Sequence, residues 1–219
     1  MQYSFTEENY LKAIYHLSEG GSGTSTNALA EHLNIKPATV TSMLKRLRAK
    51  GIVDYRRYGG VSLSEEGRVL ALQIIRKHRL WEVFLVQKLN FTWDEVHEVA
   101  EQLEHIHSPK LIRELDTFLG HPAFDPHGDP IPDLEGRIQP IDHRPLAEMQ
   151  EGRDCAVAAV NDASAEFLQY LMKLQITLGT RLCIVSRFEF DDSLLIRIDG
   201  GRELTVTAKF AGNLLVRYL

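Results

Sequence analysis

Imidazoles and carboxylates crowd one stretch of this 219-residue chain, among them His78, Glu82, His97, Glu101, Glu104, His105 and His107, all between Arg76 and Ser108. Imidazole nitrogen and carboxylate oxygen together suit divalent first-row metal ions. The 3.6-residue periodicity predicts a helix over 93–107, in which His97, Glu101, Glu104 and His105 fall at i, i+4, i+7 and i+8 on one face. Val96, Val99, Leu103 and Ile106 take roughly the opposite face, so one side packs and the other presents ligands. His78 and Glu82 are again four apart on the preceding helical stretch. Two antiparallel helices would then bring six potential ligands together. Any one of these residues could equally solvate a surface helix; their density favours a metal site.

Elements upstream must position something else. A first helix is expected from a Thr6 cap through Tyr10, Leu11, Ile14, Tyr15 and Leu17 to a Gly20-Gly21 stop. A short helix capped by Ser25 or Thr26 follows, then a turn at Asn34 and Ile35, then a second helix opened by Pro37 and ended by Gly51. The alternating IVDYRRYGGVSLSEEG reads as a β-hairpin turning at Gly59-Gly60. Two short helices and a basic hairpin make a winged helix-turn-helix. Its second helix offers Lys36, Ala38, Thr39, Thr41, Ser42, Lys45 and Arg46 to DNA, small polar groups towards base edges and cations towards phosphates, with Arg56 and Arg57 on the wing. A winged helix that binds protein instead is the rival reading.

Charge agrees. The formal net charge is −5, but residues 36–57 carry seven basic side chains against one acidic, leaving −11 on the rest. A basic patch on an acidic body suits a protein that grips DNA with one module and cations with another. No apolar run approaches a membrane span and MQYSFTEENY has no basic leader, so a cytoplasmic location is expected. Cys155 and Cys183 sit in apolar surroundings and read as buried strand thiols.

A long helix capped by Ser64 follows, apolar on several faces through Leu70, Ile74, Leu80, Trp81, Leu85 and Val86, which points to a two-fold partner subunit. Another helix is expected from Pro109 to Leu119, then the Pro/Gly/Asp/His-rich segment GHPAFDPHGDPIPDLEGRIQPIDHRP as a domain boundary. Five short strands and one helix, ASAEFLQYLMKL, follow from Leu146 and suit a small SH3-like barrel. The expected fold class is therefore mainly α: a winged helix-turn-helix over 1–63, a helical metal-binding and dimerisation domain over 64–120, a linker over 121–145 and a small SH3-like β-barrel over 146–219.

ENYLKAIYHL, the winged helix, RKHRLWEVFL, EVHEVAEQLEHIHS, PHGDPIP and the terminal strands, in that order, resemble the diphtheria toxin repressor family of metal-dependent transcriptional regulators, and the last segment is similar to a FeoA domain. The resemblance covers nearly the whole chain. It implies one site from Glu101, Glu104 and His105 with the helix-one position of Asn9, and a second from His78, Glu82 and His97, completed by Asp125 or His127 and by Asp162 or Glu166. Glu101 stands where some iron-responsive members have cysteine, Asn9 where relatives have Met or Asp, and Asp125 where some have Cys. Oxygen and nitrogen donors without thiolate favour Mn(II) ahead of Fe(II), with Zn(II) able to bind in vitro.

The implied function is a metal-dependent regulator, a repressor by resemblance, that binds double-stranded operator DNA as a homodimer and controls metal-homeostasis genes. No membrane partner and no small organic substrate are expected. Without metal, Glu82, Glu101 and Glu104 are expected to repel one another and leave the DNA-reading elements free to reorient. The alternative is a winged-helix regulator answering an organic ligand or a protein partner. An enzyme is not expected: Glu104 and His107 have the Glu-x-x-His spacing of carboxylate-bridged metal bundles, but no second copy, no His-Glu-x-x-His and no nucleophile elbow occurs.

Overall fold

The computed structural model describes residues 3–18, 23–56 and 60–219. Two compact units are formed, one by Met1–Trp81, Glu101–Glu114 and Ile131–Ile138, the other by Glu82–Ala100, Leu115–Pro130 and Gln139–Leu219.

In the first unit, helix α1 (Phe5–Leu17) is capped by Ser4, not Thr6. The Ser4 hydroxyl accepts the Glu7 N–H and the Glu7 carboxylate accepts the Ser4 N–H, a reciprocal capping box that satisfies two amides at once and moves the start upstream. The expected Gly20-Gly21 stop lies outside the described residues; α1 ends with Ser18 as its C-cap. Helix α2 (Thr26–His32) is capped by Ser25, whose hydroxyl accepts the Ala28 N–H. Asn34 takes a left-handed φ of 52° in the turn to α3 (Pro37–Ala49). Strands β1 (Val53–Arg56) and β2 (Gly60–Leu63) pair antiparallel with Val53 opposite Leu63. Gly59 of the expected turn, the whole of Arg57 and the side chain of Arg56 lie outside the described residues. Tyr10, Leu11, Ile14, Leu29, Val40, Leu44, Leu47, Ile52 and Val61 form one core that unites these helices and the hairpin.

Glu7 ties α1 to α3. Its carboxylate is buried, 2.6 Å from Lys50 Nζ and 3.4 Å from an Arg46 nitrogen. Burial alone would raise its pKa, but the Lys50 hydrogen bond, the Ser4 amide and the two cations outweigh it and hold the carboxyl below the usual range. A group depressed in this way stabilises the fold above its unfolded pKa and loses that contribution as pH falls through the folded value. Glu7→Gln is expected to destabilise the protein by about 1–3 kcal/mol at pH 7, with the gap to wild type closing in strongly acidic buffer; thermal melts across pH check it.

Helix α4 (Glu65–Leu89) starts in the first unit, with the Ser64 hydroxyl accepting the Gly67 N–H. Most of the apolar side chains expected to face a partner are already covered within the single chain: Leu80 is 0% exposed, Leu85 2% and Trp81 8%. Helix α5 (Val96–Leu103) is shorter than the 93–107 expected. Thr92 and Glu95 close a turn before it, the Thr92 amide donating to the Glu95 carboxylate, and after it the Ile106 N–H bonds Leu103. Glu104 and His105 therefore leave the helix axis. They are buried while His97 and Glu101 stay exposed. Helix α6 (Pro109–Phe118) follows, and in the first unit the returning segment is pinned where the Arg76 guanidinium donates to the Pro132 carbonyl at 2.7 Å.

The second unit carries an antiparallel sheet of six strands, not five, in the order β3-β8-β4-β5-β6-β7. The strands are β3 (Arg144–Pro145), β4 (Asp154–Val160), β5 (Arg181–Arg187), β6 (Leu194–Ile198), β7 (Arg202–Val206) and β8 (Leu214–Tyr218). β3 is two residues long, too short for any periodicity to reveal, and β5 stops at Arg187 before the FEF segment. Two helices join the sheet, α7 (Ala165–Lys173) and the unanticipated α8 (Ala208–Asn213), whose six residues are capped by Thr207. Leu146, Cys155, Val157, Leu168, Ile184, Ile196, Phe210 and Val216 form the core with Trp93. Cys155 and Cys183 are free thiols, and burial pushes Cys155 up to about 11. Among the described residues, no helix is long and apolar enough to cross a membrane.

Candidate metal centre

The first unit buries a cluster around Glu104, which has no exposed surface. One carboxylate oxygen lies 2.5 Å from His78 Nδ1, and both lie 2.9 Å from Lys12 Nζ. Lys12 reaches Glu101 as well, at 3.3 Å. Burial would raise the Glu104 pKa; the His78 hydrogen bond and the Lys12 charge overcome it and hold the group ionised below the ordinary range. His105 Nδ1 stands 2.6 Å from Glu8 Oε2, its Nε2 is 3.7 Å from Glu104, and the Phe5 ring packs edge-on against it at 4.3 Å. His107 and Lys77 approach the other Glu8 oxygen at 3.8 and 3.9 Å.

Glu101, Glu104 and His105 thus converge, with His78 bonded to Glu104. Asn9 is exposed on α1; the charged α1 side chains Glu8 and Lys12, one turn apart, reach the cluster, as does the Phe5 ring. The Lys12 ammonium contacts both Glu101 and Glu104 and offsets the repulsion expected between these two. Lys12 is not of metal-ligand type and Glu8 reads as an ordinary first-turn carboxylate, so neither stood out in the sequence; their i, i+4 spacing on the amphipathic α1 was the signal.

In the second unit, Glu82, Asp125 and His127 are all buried and each offers a donor atom within 4.8 Å of the others. His127 Nδ1 lies 3.7 Å from Glu82, while its Nε2 lies 2.8 Å from the Trp93 carbonyl and its ring stacks on the Trp93 indole. Burial opposes charge on this imidazole, but the Glu82 hydrogen bond and the charges of Glu82 and Asp125 prevail and push it up to about 9. Asp125 Oδ1 accepts the amides of His127 and Asp129, a turn that aims the imidazole. His97 Nδ1 lies 3.4 Å from Glu82, on an exposed ring, and His78 is one helical turn before Glu82 on α4. Asp162 is half-buried and accepts the Ser164 amide at the start of α7; Glu166 is exposed in the first turn of that helix. Neither belongs to the Glu82, Asp125 and His127 group.

Both clusters consist of nitrogen and oxygen donors, with the two thiols in β4 and β5, and such a set fits a divalent first-row ion. Glu101, Glu104 and His105 would hold it in the first unit, and Glu82, Asp125 and His127 in the second.

On α3 and its N-cap, Lys36, Ala38, Thr39, Ser42, Lys45 and Arg46 are exposed and Thr41 is half-buried. The Thr41 and Ser42 hydroxyls donate to the Pro37 and Ala38 carbonyls, leaving their oxygens as acceptors.

A helix-turn-helix with a β-hairpin wing is thus folded in one unit with a buried imidazole and carboxylate cluster, a winged-helix architecture. Three family patterns match the chain: the iron-dependent repressor N-terminal DNA-binding domain over residues 3–61, the iron-dependent repressor metal-binding and dimerisation domain over 64–133, and the FeoA domain over 144–218. A solved manganese-dependent transcriptional repressor in complex with manganese is similar over 97% of this chain and 100% of that one, at 36% identity and a TM-score of 0.85. The manganese regulator SloR is similar over 97% and 98%, at 33% identity and a TM-score of 0.75. The iron-dependent repressor IdeR of Mycobacterium tuberculosis is 37% identical over 129 residues, 59% of this chain; the match spans 56% of the length of that relative. The chain belongs to the diphtheria toxin repressor family, a family of transcriptional repressors rather than enzymes.

Proposed function

We propose that this protein is a metal-gated transcriptional repressor that binds operator DNA as a homodimer when loaded with Mn(II) or Fe(II), and that it controls metal-ion homeostasis genes in the cytoplasm. The observation that carries this reading is the fully buried Glu104 carboxylate, bonded to His78, beside His105, in the same unit as the winged helix. Glu101, Glu104 and His105, with Asn9 on α1, form one centre. His78, Glu82 and His97, with Asp125, His127 and Asp162 or Glu166, form the other. The oxygen-rich donor set supports Mn(II) ahead of Fe(II), with Zn(II) binding in vitro.

A bound divalent ion supplies positive charge that the converging carboxylates can share. The chain's own residues do the rest. Glu8 and Lys12 link α1 to the His105 and Glu104 turn, and Glu7 links α1 to Arg46 and Lys50 at the end of α3. A change at the centre therefore reaches the DNA-reading helix through α1, biasing its position between two populations. Ala38, Thr39, Thr41 and Ser42 read base edges; Lys36, Lys45 and Arg46, with Arg56 and Arg57 on the wing, meet phosphates. Exposed Leu89 and Phe118, with the Lys88 ammonium 5.3 Å over the Phe118 ring, suit a dimer face. The division into 1–63, 64–120, 121–145 and 146–219, with the last sheet closing as an SH3-like FeoA barrel, completes the proposal.

Selection of genomic fragments on the Mn(II)-loaded protein tests this reading. Enriched fragments are expected to share two-fold related half-sites and to bind with a steep salt dependence. Failure to enrich any common sequence would count against operator recognition.

A further inference from the structure

Lys12 touches both Glu101 and Glu104 of the first-unit cluster. Its ammonium is 2.9 Å from each Glu104 oxygen and 3.3 Å from Glu101 Oε1, and the side chain is only 15% exposed against 0% for Glu104. It projects from α1 one turn beyond Glu8, whose carboxylate holds His105 at 2.6 Å. One helix thus offers a cation to the acids of the cluster and an anion to its imidazole. Glu101, Glu104 and His105 are thus each engaged by a protein side chain of complementary charge.

Both oxygens of Glu104 face the ammonium, so a metal ion bound through that carboxylate competes for the same lone pairs. We propose that Lys12 is a resident counter-cation of this centre: it fills the space between Glu101 and Glu104 in the metal-free protein, must be expelled for a divalent ion to enter, and thereby sets the metal concentration at which the protein responds. The inference rests on the reading of Glu101, Glu104 and His105 as ligands. Physically, apparent metal affinity equals the affinity of the open centre multiplied by the fraction of molecules in which Lys12 has left Glu104. A close ammonium makes that fraction small. Displacement also frees α1 from its Lys12 contact with the Glu104 turn, so the event that admits the ion and the event that releases the helix coincide.

Lys12→Met and Lys12→Arg separate this from a merely structural role. Methionine keeps the length of the stem and removes the charge, whereas guanidinium offers a bidentate match to carboxylate. Mn(II) binding is read directly, by the electron-spin resonance signal of the free ion in equilibrium with the full-length protein, alongside melts of the chelated and Mn(II)-saturated forms. Lys12→Met is expected to bind Mn(II) at least about 10-fold more tightly and to melt lower than wild type when chelated but close to it when loaded. Lys12→Arg is expected to bind more weakly than wild type. Unchanged or weaker Mn(II) binding by Lys12→Met, with melting lowered equally in both states, would overturn the proposal and leave Lys12 a structural ion pair. If wild type itself binds no Mn(II), the reading of the centre fails first, and the proposal with it; should Lys12→Met not fold, Lys12→Gln takes its place with the same expected direction.

Discussion

Glu104→Gln is expected to abolish the response to metal while leaving the protein folded. The amide is the same size as the carboxylate and its oxygen can still accept from Lys12, so the packing around a side chain with no exposed surface is kept. What is lost is the negative charge that His78 and Lys12 hold ionised against the opposing effect of burial. A neutral amide is a poor ligand beside a carboxylate for a hard divalent ion. We expect Mn(II) affinity at the first-unit centre to fall by about 100-fold or more, in line with the 2–4 kcal/mol typical of a lost charged contact, and metal-dependent DNA binding to disappear with it. Direct Mn(II) titration and DNA binding of the same preparation check both, and unchanged metal-dependent binding would remove Glu104 from the centre.

Gly128→Ala should act as strongly on the second unit. Gly128 has a φ of +91°, and a Cβ placed there would lie 2.1 Å from the Ala158 carbonyl oxygen and 2.6 Å from the Ala159 Cα, both backbone atoms of β4. Ala158 lies at the register shift of β4 and Ala159 is paired with Leu215 of β8, so the backbone there can yield only by disturbing that pairing. The Asp125 to Asp129 turn must therefore lift away from β4, breaking the bond from the Val160 N–H to the His127 carbonyl and withdrawing His127 from Glu82. A destabilisation of about 2–4 kcal/mol is expected from the left-handed backbone and the clash together. Melting should fall accordingly, and Mn(II) stoichiometry at saturation should drop by one ion per chain with the first-unit centre intact. A variant that melts lower as expected and still binds the same number of ions would show that the turn carries no metal.

The DNA-reading elements were legible in the sequence because each rests on a local rule: Pro37 at a helix start, Asn34 in a left-handed turn, alternation across Val53 to Leu63. Glu101, Glu104 and His105 were legible by type and spacing, but their geometry was not. Periodicity continued α5 through His105, whereas the chain leaves the helix after Leu103 and turns Glu104 and His105 into the core. Where a helix ends depends on which tertiary contacts reward leaving it, and here those are His78, Lys12 and Glu8, up to 97 residues away in sequence. The same holds for Asp125 and His127. In sequence they belong to a Pro- and Gly-rich connection; in space they are buried, because Gly128 lets the backbone press onto β4. Strand β3 and helix α8 were missed because two and six residues carry no usable period.

Metal gating is tested most directly by titrating fluorescent enriched DNA with the full-length protein, first chelated and then with Mn(II), Fe(II) under anaerobic conditions, or Zn(II) restored. The account predicts that chelated protein binds at least about 5- to 150-fold more weakly than the metal-loaded form, that Mn(II) restores binding, and that Glu104→Gln does not respond. Tight binding that survives chelation would contradict it: the buried imidazoles and carboxylates would then be structural ion pairs, and the regulating ligand an organic molecule or a protein partner.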